Sequence, residues 1–588
     1  MPAPEERTRD LYEQFPGSPR PPLIPLPDPD DLETLERDLT GFSRHSLSIK
    51  ILHRVLGALG FKKFQQQLTE QSLEKLLRSC DLRRLGQCAP TISATVNLVD
   101  DPRDVSPLQR AATILLAARQ LYAEIRSGTL LPDRFRDQAL EMGQYPNLFA
   151  TSIVWDGWRP RVFKSTDTSH VTLAIGRRLY SLDIGALEAD LPIEALQEVL
   201  EELVEHSRCT PLPADAPALG LLSCAKPATQ RKAFRLLRKD GGSRKTLEAL
   251  RHSLFTLCLD LDQQPATDAA AAHMAHSENL ANRWHQASLQ LVVFGNAKAC
   301  AIFKFDACID GNTMMRGAAE IQQRAARIPL HSGSDQPFSV APAVTELPCR
   351  IGQSHLRRAR RDVRAILDNQ QATFEISNIG RRFFQTRNVD PVPAFMLALH
   401  MTVTHLTGQS ARIEQQLALS KYRGMGLTTA VVTTPEMDRF TQYANGAEIE
   451  NGKARALMQA AIDAQKQACR QARSHLPFSQ LIPLFTCYLQ GWQKIKVAAI
   501  VVACKLLGVK WYSDIIVSHP SIFPEASMLG RPGVRLPYLN FFGLHYRMMD
   551  DSITVTMMPS VDWDIPNSHF VRVLEERLRR LQDITEDE

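Results

Sequence analysis

The sequence predicts a two-domain α/β protein, on three observations. At 588 residues the chain is long for one hydrophobic core and comfortable for two. Stretches with apolar residues at helical spacing are interleaved with short, strand-like apolar runs. Hydrophobic residues at 44% and charged residues at 23% are ordinary for a globular enzyme.

Composition also removes several function classes. A net charge of +5, spread along the chain, falls short of a nucleic-acid footprint. The eleven cysteines include no Cys-x-x-Cys pair and no His-rich companion cluster, so reduced thiols are expected rather than disulfides or a metal site. Met1 to Phe15 mixes acidic and basic residues without an apolar core, unlike a signal peptide. The apolar run Val497 to Val509 is interrupted by Lys505 and is too short to span a bilayer. The final Glu-Asp-Glu is no peroxisomal address, and a cytoplasmic, monomeric protein is the expectation.

Taken in order, Pro16 to Pro29 is proline-rich and therefore extended, since proline fixes φ and disfavours helix in its predecessor. Asp30 and Asp31 cap a helix through Leu39. Helical spacing marks Ser46 to Leu85 (Ile49, Leu52, Val55, Leu56, then Leu73, Leu76, Leu77) and Pro107 to Arg126. His170 to Ile175 and Leu179 to Ile184 read as a hairpin around Arg177-Arg178, and Pro192 to His206 as an amphipathic helix. Arg238 to Arg244 reads as a basic, glycine-containing loop, and Ala266 to His276 as a surface loop or helix. Ser288 to Val293 and Ala299 to Phe303 are strand-like, and Asp335 to Pro342 is a polar linker. Beyond it come a basic helix from Leu356 to Leu367, a strand from Phe374 to Ile379, and helices from Pro393 to His405 and Gly452 to His475. Val497 to Leu507 reads as a buried helix, Ile515 to Val517 as a strand and Phe570 to Leu581 as a closing helix.

Several segments carry a resemblance. Asn282-Arg283-Trp284 leads through the two apolar runs to Asp310-Gly311. Gln144-Tyr145-Pro146-Asn147-Leu148-Phe149 and the Leu23-Ile24-Pro25-Leu26-Pro27 strap precede it. In these segments the chain resembles the choline/carnitine acyltransferase family, in ordered fragments from about Leu23 to Leu581. The resemblance implies two chloramphenicol-acetyltransferase-like domains, each a mixed sheet flanked by helices, with a substrate tunnel between them. It implies a flexible lead over 1–21, a discontinuous domain from 22–80 plus 350–588, and a second domain over 81–349 carrying the Asp306 motif. Acyl-CoA or an acyl carrier protein would be the donor, a small molecule the acceptor, and no cofactor is bound covalently.

The departures from the family pattern are chemical. The family's catalytic histidine lies four residues before the Asp of Asp-Gly, and Asp306 stands there. A neutral histidine works as a base near ambient pH, whereas an aspartate at its ordinary pKa is a feeble base toward an alcohol. Burial among Phe303, Phe305 and Ile309 would raise it, so Asp306 is either a base made useful by burial or non-catalytic. His285 and His519 are alternative bases, and Cys308 is a conceivable thiol nucleophile. Asp310 is implied to be structural, holding its turn through a partner arginine. Ser518, with Ser521 as alternative, matches the family's oxyanion-stabilising serine.

Arg381, Arg382, Gln385 and Arg387 occupy the family's phosphate-binding segment for coenzyme A or phosphopantetheine. In the acceptor site Gln415 replaces a tyrosine, Thr428 is kept, and Lys494 falls where an arginine binds the carnitine carboxylate; it keeps the charge without the bidentate fork. The functional expectation is acyl transfer from a thioester to a non-carnitine acceptor, or a derived reaction on that acyl group. The alternative is a catalytically inactive homologue that binds an acyl thioester or a partner.

Overall fold

The structure, a computed structural model, describes residues 15–41, 46–70, 73, 93–156, 159–166, 168–185, 193–210, 212, 218–304, 307, 309–331, 344–367, 372–446, 450–488, 495, 513–518, 527–529, 539–560 and 563–586. By contact the chain divides into two units. The first comprises Met1–Pro19, Arg78–Gln370 and Pro520–Val534, the second Arg20–Leu77, Gln371–His519 and Arg535–Glu588.

Among the described residues the first unit holds an eight-stranded mixed sheet. Its strands in chain order are β1 (Ser93–Leu98), β2 (His170–Ile175), β3 (Arg178–Asp183), β4 (Thr256–Asp260), β5 (Leu289–Phe294), β6 (Ala299–Lys304) and β7 (Val344–Glu346). The order across the sheet is β7-β3-β2-β4-β5-β6-β1, and Ser527–Leu529 adds antiparallel to β1. The β2-β4-β5 pairs are parallel. The expected hairpin is there, with its turn one residue earlier than expected: β2 and β3 pair around Gly176 and Arg177, with φ of 55° and 68°, and Arg178 already belongs to β3. Two consecutive residues in that region make the tight turn whose twist matches the strands.

Helices cover both faces of this sheet, so every residue of β5 and β6 is buried. That burial explains why both strands read as continuous apolar runs rather than alternating ones. On one face lie α1 (Pro107–Ser127), Ile193–Cys209 and α3 (Gly311–Arg327); on the other lie Pro227–Leu237, Gly241–His252 and α2 (Asp268–Ser277). Helix α1 opens with a Ser106–Gln109 capping box and ends at Gly128 in the left-handed region. The expected loop over Arg238 to Arg244 is corrected. Asp240 accepts from the Ser243 N–H at 2.8 Å and starts a helix at Gly241, so the cap outweighs two poor helix formers. The Ala266 to His276 stretch resolves as α2, which buries Ala271, Ala275 and His276 rather than lying on the surface. The basic helix Gln353–Leu367 packs Leu356 and Ala359 into the first unit, where Asp362 accepts from the Lys226 N–H and the Thr229 hydroxyl.

The second unit holds, among the described residues, a six-stranded sheet: β8 (Ala372–Ser377), β9 (Ile413–Ala418), β10 (Leu427–Val431), β11 (Ser513–Ser518), β12 (Leu539–Met548) and β13 (Ser552–Pro559). Its order is β8-β13-β12-β11-β9-β10, and β9, β11 and β12 run parallel. Helices α4 (Pro391–Thr407), α5 (Asn451–Ala472), α6 (Asn567–Glu586) and Pro435–Ala444 pack on one face against Ile515, Val517, Phe542, Leu544, Tyr546, Val555 and Met557. The period-2 alternation of a strand turns Ile516, Ser518, Gly543, His545, Thr554 and Thr556 to the opposite face. At the chain's start Asp31 caps Leu32–Thr40 as expected. Helices Ser46–Ala58 and Phe61–Gln67 follow, broken at Gly60 with φ of 89°. The expected helix over Val497 to Leu507 and the linker Asp335 to Pro342 lie outside the described residues. Among the described residues no helix is long and apolar enough to cross a membrane, and no cluster of three metal-ligating side chains occurs.

Candidate active site

The Asp310-Gly311 turn joins β6 to α3. Asp310 is the N-cap of α3, and its carboxylate accepts the Thr313 N–H at 3.0 Å. Its own N–H donates to Gln144 Oε1 at 2.7 Å, and the Thr313 hydroxyl donates to the same oxygen at 3.1 Å. Two segments singled out separately in the sequence are therefore one structure, with Gln144 bridging them. The expected arginine partner is corrected: among the described residues, Thr313 and Gln144 hold Asp310. Burial pushes its carboxyl above the ordinary range, opposed by the Thr313 N–H. Asp306, Phe305 and Cys308 lie outside the described residues, between buried Phe303 and buried Ile309.

The Asn-Arg-Trp segment locks the end of β4. Asp260 accepts from Asn279 Nδ2 at 2.6 Å, Asn282 Nδ2 at 2.9 Å and Arg283 Nη2 at 2.5 Å. The rest of the Arg283 guanidinium donates to the Ala275 and Asn282 carbonyls at 2.9 and 3.0 Å. Both charged side chains are fully enclosed. Trp284 packs against Phe234 with ring centroids 6.1 Å apart. The next residue, His285, is buried, and among the described residues neither ring nitrogen has a hydrogen-bond partner. Burial, with help from His276, Lys304 and Arg283, pushes its pKa well below the ordinary histidine value. Burial likewise lowers His276 to about 3, with Nδ1 3.0 Å from the Thr95 hydroxyl. Both rings are held neutral in a cationic interior, which disfavours adding a proton.

In the second unit Ser518 is the last residue of β11 and is half-buried. Its hydroxyl lies 2.9 Å from Nδ1 of His545, which is directly opposite on β12. Across the next strand His545 stands opposite Thr556, and Thr556 opposite Thr373, whose hydroxyls are 3.0 Å apart. A polar row thus crosses four strands on the face turned away from the helices. His545 was missed in the sequence. Its signal was the Phe542-Leu544-Tyr546 alternation, which assigns His545 to the other face without naming its neighbour. His519 and Ser521 lie outside the described residues.

Gln415 and Thr428 do not join Ser518. Gln415 is buried on the helix-covered face, where its Oε1 accepts from Gln465 Nε2 at 3.3 Å and from the Cys469 thiol at 3.6 Å. Thr428 is buried on the same side, and its hydroxyl accepts from Gln480 Nε2 at 3.4 Å. Lys494 lies outside the described residues. The phosphate-segment residues start a short helix, Arg381–Gln385, against the turn between β12 and β13. Arg381 and Arg382 donate backbone N–H groups to Met549 and Asp550 carbonyls at 2.7 and 3.0 Å. Their guanidinium groups face Asp550 at 3.8 Å and Asp551 at 3.2 Å. A Cβ on Gly380 would sit 2.4 Å from the Asp550 carbonyl oxygen, so the turn requires glycine there. Arg387 donates to the Phe383 carbonyl at 2.9 Å and stacks over its ring, while Gln385 is exposed. The site thus offers two exposed guanidinium forks, each paired with an aspartate.

The sequence profile of the choline/carnitine O-acyltransferase family matches residues 82–576. Pigeon (Columba livia) carnitine O-acetyltransferase is 20% identical over 388 residues, covering 62% of this chain and 60% of that protein. Rat (Rattus norvegicus) choline O-acetyltransferase is 24% identical over 272 residues, 43% of this chain and 41% of that protein. The chain thus spans about 60% or less of the length of these relatives. The starter condensation domain of a rhizomide synthetase superposes with a TM-score of 0.33 at 12% identity, covering 87% of this chain and 96% of that one. With the profile running through both sheets and through the Asn-Arg-Trp and Asp-Gly segments, the chain belongs to the choline/carnitine O-acyltransferase family.

Proposed function

We propose that this protein acts on a thioester-bound acyl group, carried by coenzyme A or a carrier protein, and passes it to a small-molecule acceptor other than carnitine. The observation that carries this reading is the engagement of Gln415 by Gln465 and Cys469 on the helix-covered face. The residue in place of the family's acceptor tyrosine is spent on internal hydrogen bonds. Arg381 and Arg382 supply the forks that suit a donor phosphate. The test is thiol release from acetyl-, octanoyl- and palmitoyl-CoA, with and without carnitine or choline. Thioester consumption that neither acceptor accelerates supports the proposal; robust carnitine-dependent release of coenzyme A overturns its acceptor half.

A second reading, an inactive homologue that binds acyl thioester or a partner, is favoured by Asp306 at the base position. Saturable coenzyme A binding with no thioester consumption would select it.

A further inference from the structure

We propose that Ser518 and His545 are a nucleophile–base pair, and that the acyl group passes through an ester on Ser518. The inference rests on the thioester reading above and goes further, to a covalent route and a histidine outside the family motif.

Three observations carry it. The first is contact: the Ser518 hydroxyl and His545 Nδ1 are 2.9 Å apart, within reach for proton transfer. The second is register. Ser518 and His545 are directly opposed on neighbouring parallel strands, and the flanking Val517, Leu544 and Tyr546 are fully buried in the core on the other face. The pair is therefore held in register by two paired strands, on the face opposite the one that α4, α5 and α6 cover among the described residues. The third is position. Ser518 ends the central strand of a parallel trio, and open α/β sheets take their ligands outside the carboxyl ends of such strands.

The hydroxyl has a single proton, so the imidazole tautomer decides what Ser518 does. With the proton on Nε2, Nδ1 accepts the Ser518 proton and the oxygen becomes a nucleophile. With the proton on Nδ1, Ser518 accepts and keeps its own proton for a substrate oxygen. The first tautomer supplies a histidine base, which the family motif does not have in this chain, where Asp306 stands. In the step, the Ser518 Oγ–C bond forms as the C–S bond of the thioester breaks. The hydroxyl proton goes to His545 and then to the departing thiolate, giving free thiol. In the second half His545 takes the proton of the acceptor hydroxyl, whose oxygen attacks the ester. Ser518 leaves and recovers the proton.

The experiment incubates the full chain with acetyl-, octanoyl- or palmitoyl-CoA without acceptor, then measures intact mass and maps the modified peptide. A fluorophosphonate probe reads serine activation independently of the acyl chain. One acyl group per chain on Ser518 is expected, with fluorophosphonate labelling at the same residue. Both signals should be absent in Ser518→Ala and at least about 100-fold slower in His545→Gln. Ser518→Cys should accumulate a stable thioester, and unchanged melting temperatures guard against misfolding. Thioester turnover without any acyl-enzyme, undiminished in Ser518→Ala, overturns the pair and leaves the acyltransferase reading standing. No consumption of any thioester, by wild type or variant, overturns both.

Discussion

Gln144 Oε1 accepts the backbone N–H of Asp310 at 2.7 Å, tying the Gln-Tyr segment to the turn that caps α3. Because Thr313 shares the same oxygen, Gln144→Leu leaves two buried donors unpaired. A loss of about 2 kcal/mol is expected, read by urea denaturation, from the usual cost of about 1–3 kcal/mol for a stranded buried group.

Asp310 itself has its pKa raised by burial, above an ordinary value of 3.8. A raised folded pKa means that the protonated form is the one the fold prefers, so the ionised group weighs against the fold as pH rises. Asp310→Asn keeps a good N-cap and removes that charge. It should match or exceed wild type in melting temperature at pH 7, with the gain shrinking as pH falls toward 3.8. A large loss at pH 7 would show that the charge itself is needed.

Arg283 and Asp260 form a fully enclosed ion pair in which each guanidinium nitrogen and each carboxylate oxygen has a hydrogen bond. Arg283→Met strands the Asp260 carboxylate, and a loss of about 3–5 kcal/mol is expected. The Arg283→Met, Asp260→Leu double variant should recover part of it, which a double-mutant cycle measures.

His285 is buried with neither ring nitrogen bonded among the described residues, and its pKa is pushed well below 6.5. For a depressed histidine the unfolded chain binds the proton first, so stability is full above 6.5 and falls as pH drops below it. His285→Phe should be neutral or stabilising at pH 7 and should flatten the loss of melting temperature between pH 6.5 and pH 5. A steeper acid loss in the variant would contradict this.

For the donor, Arg381→Ala should weaken coenzyme A binding about tenfold by calorimetry, since charge-assisted bonds to phosphate contribute about 1.5–3 kcal/mol. The Asp550→Asn, Asp551→Asn double variant, which releases both arginines from their carboxylates, should strengthen it. Unchanged affinity in both variants would remove this segment from donor binding.

The sequence by itself determined the family, the α/β class, the β2–β3 hairpin and the N-cap role of Asp31. Each of these depends on local chemistry: periodicity, turn residues with positive φ, or a side chain within three residues of the N–H that it accepts. Even there the local signal misled at Gly241 and Gly242, where the Asp240 cap overrode low helix propensity. Only the tertiary structure decided which distant residues meet. Gln144 meets Asp310 across 166 positions, and Arg283 meets Asp260 across 23. Strand pairing did the same in the second unit. A one-residue step along a strand changes face, so Gln415 went to the helices with Val517 while Ser518 went to the other side with His545. Pattern along a strand fixes which residues alternate. Which strand lies beside it, and in what register, comes from non-local pairing that no short stretch of sequence contains.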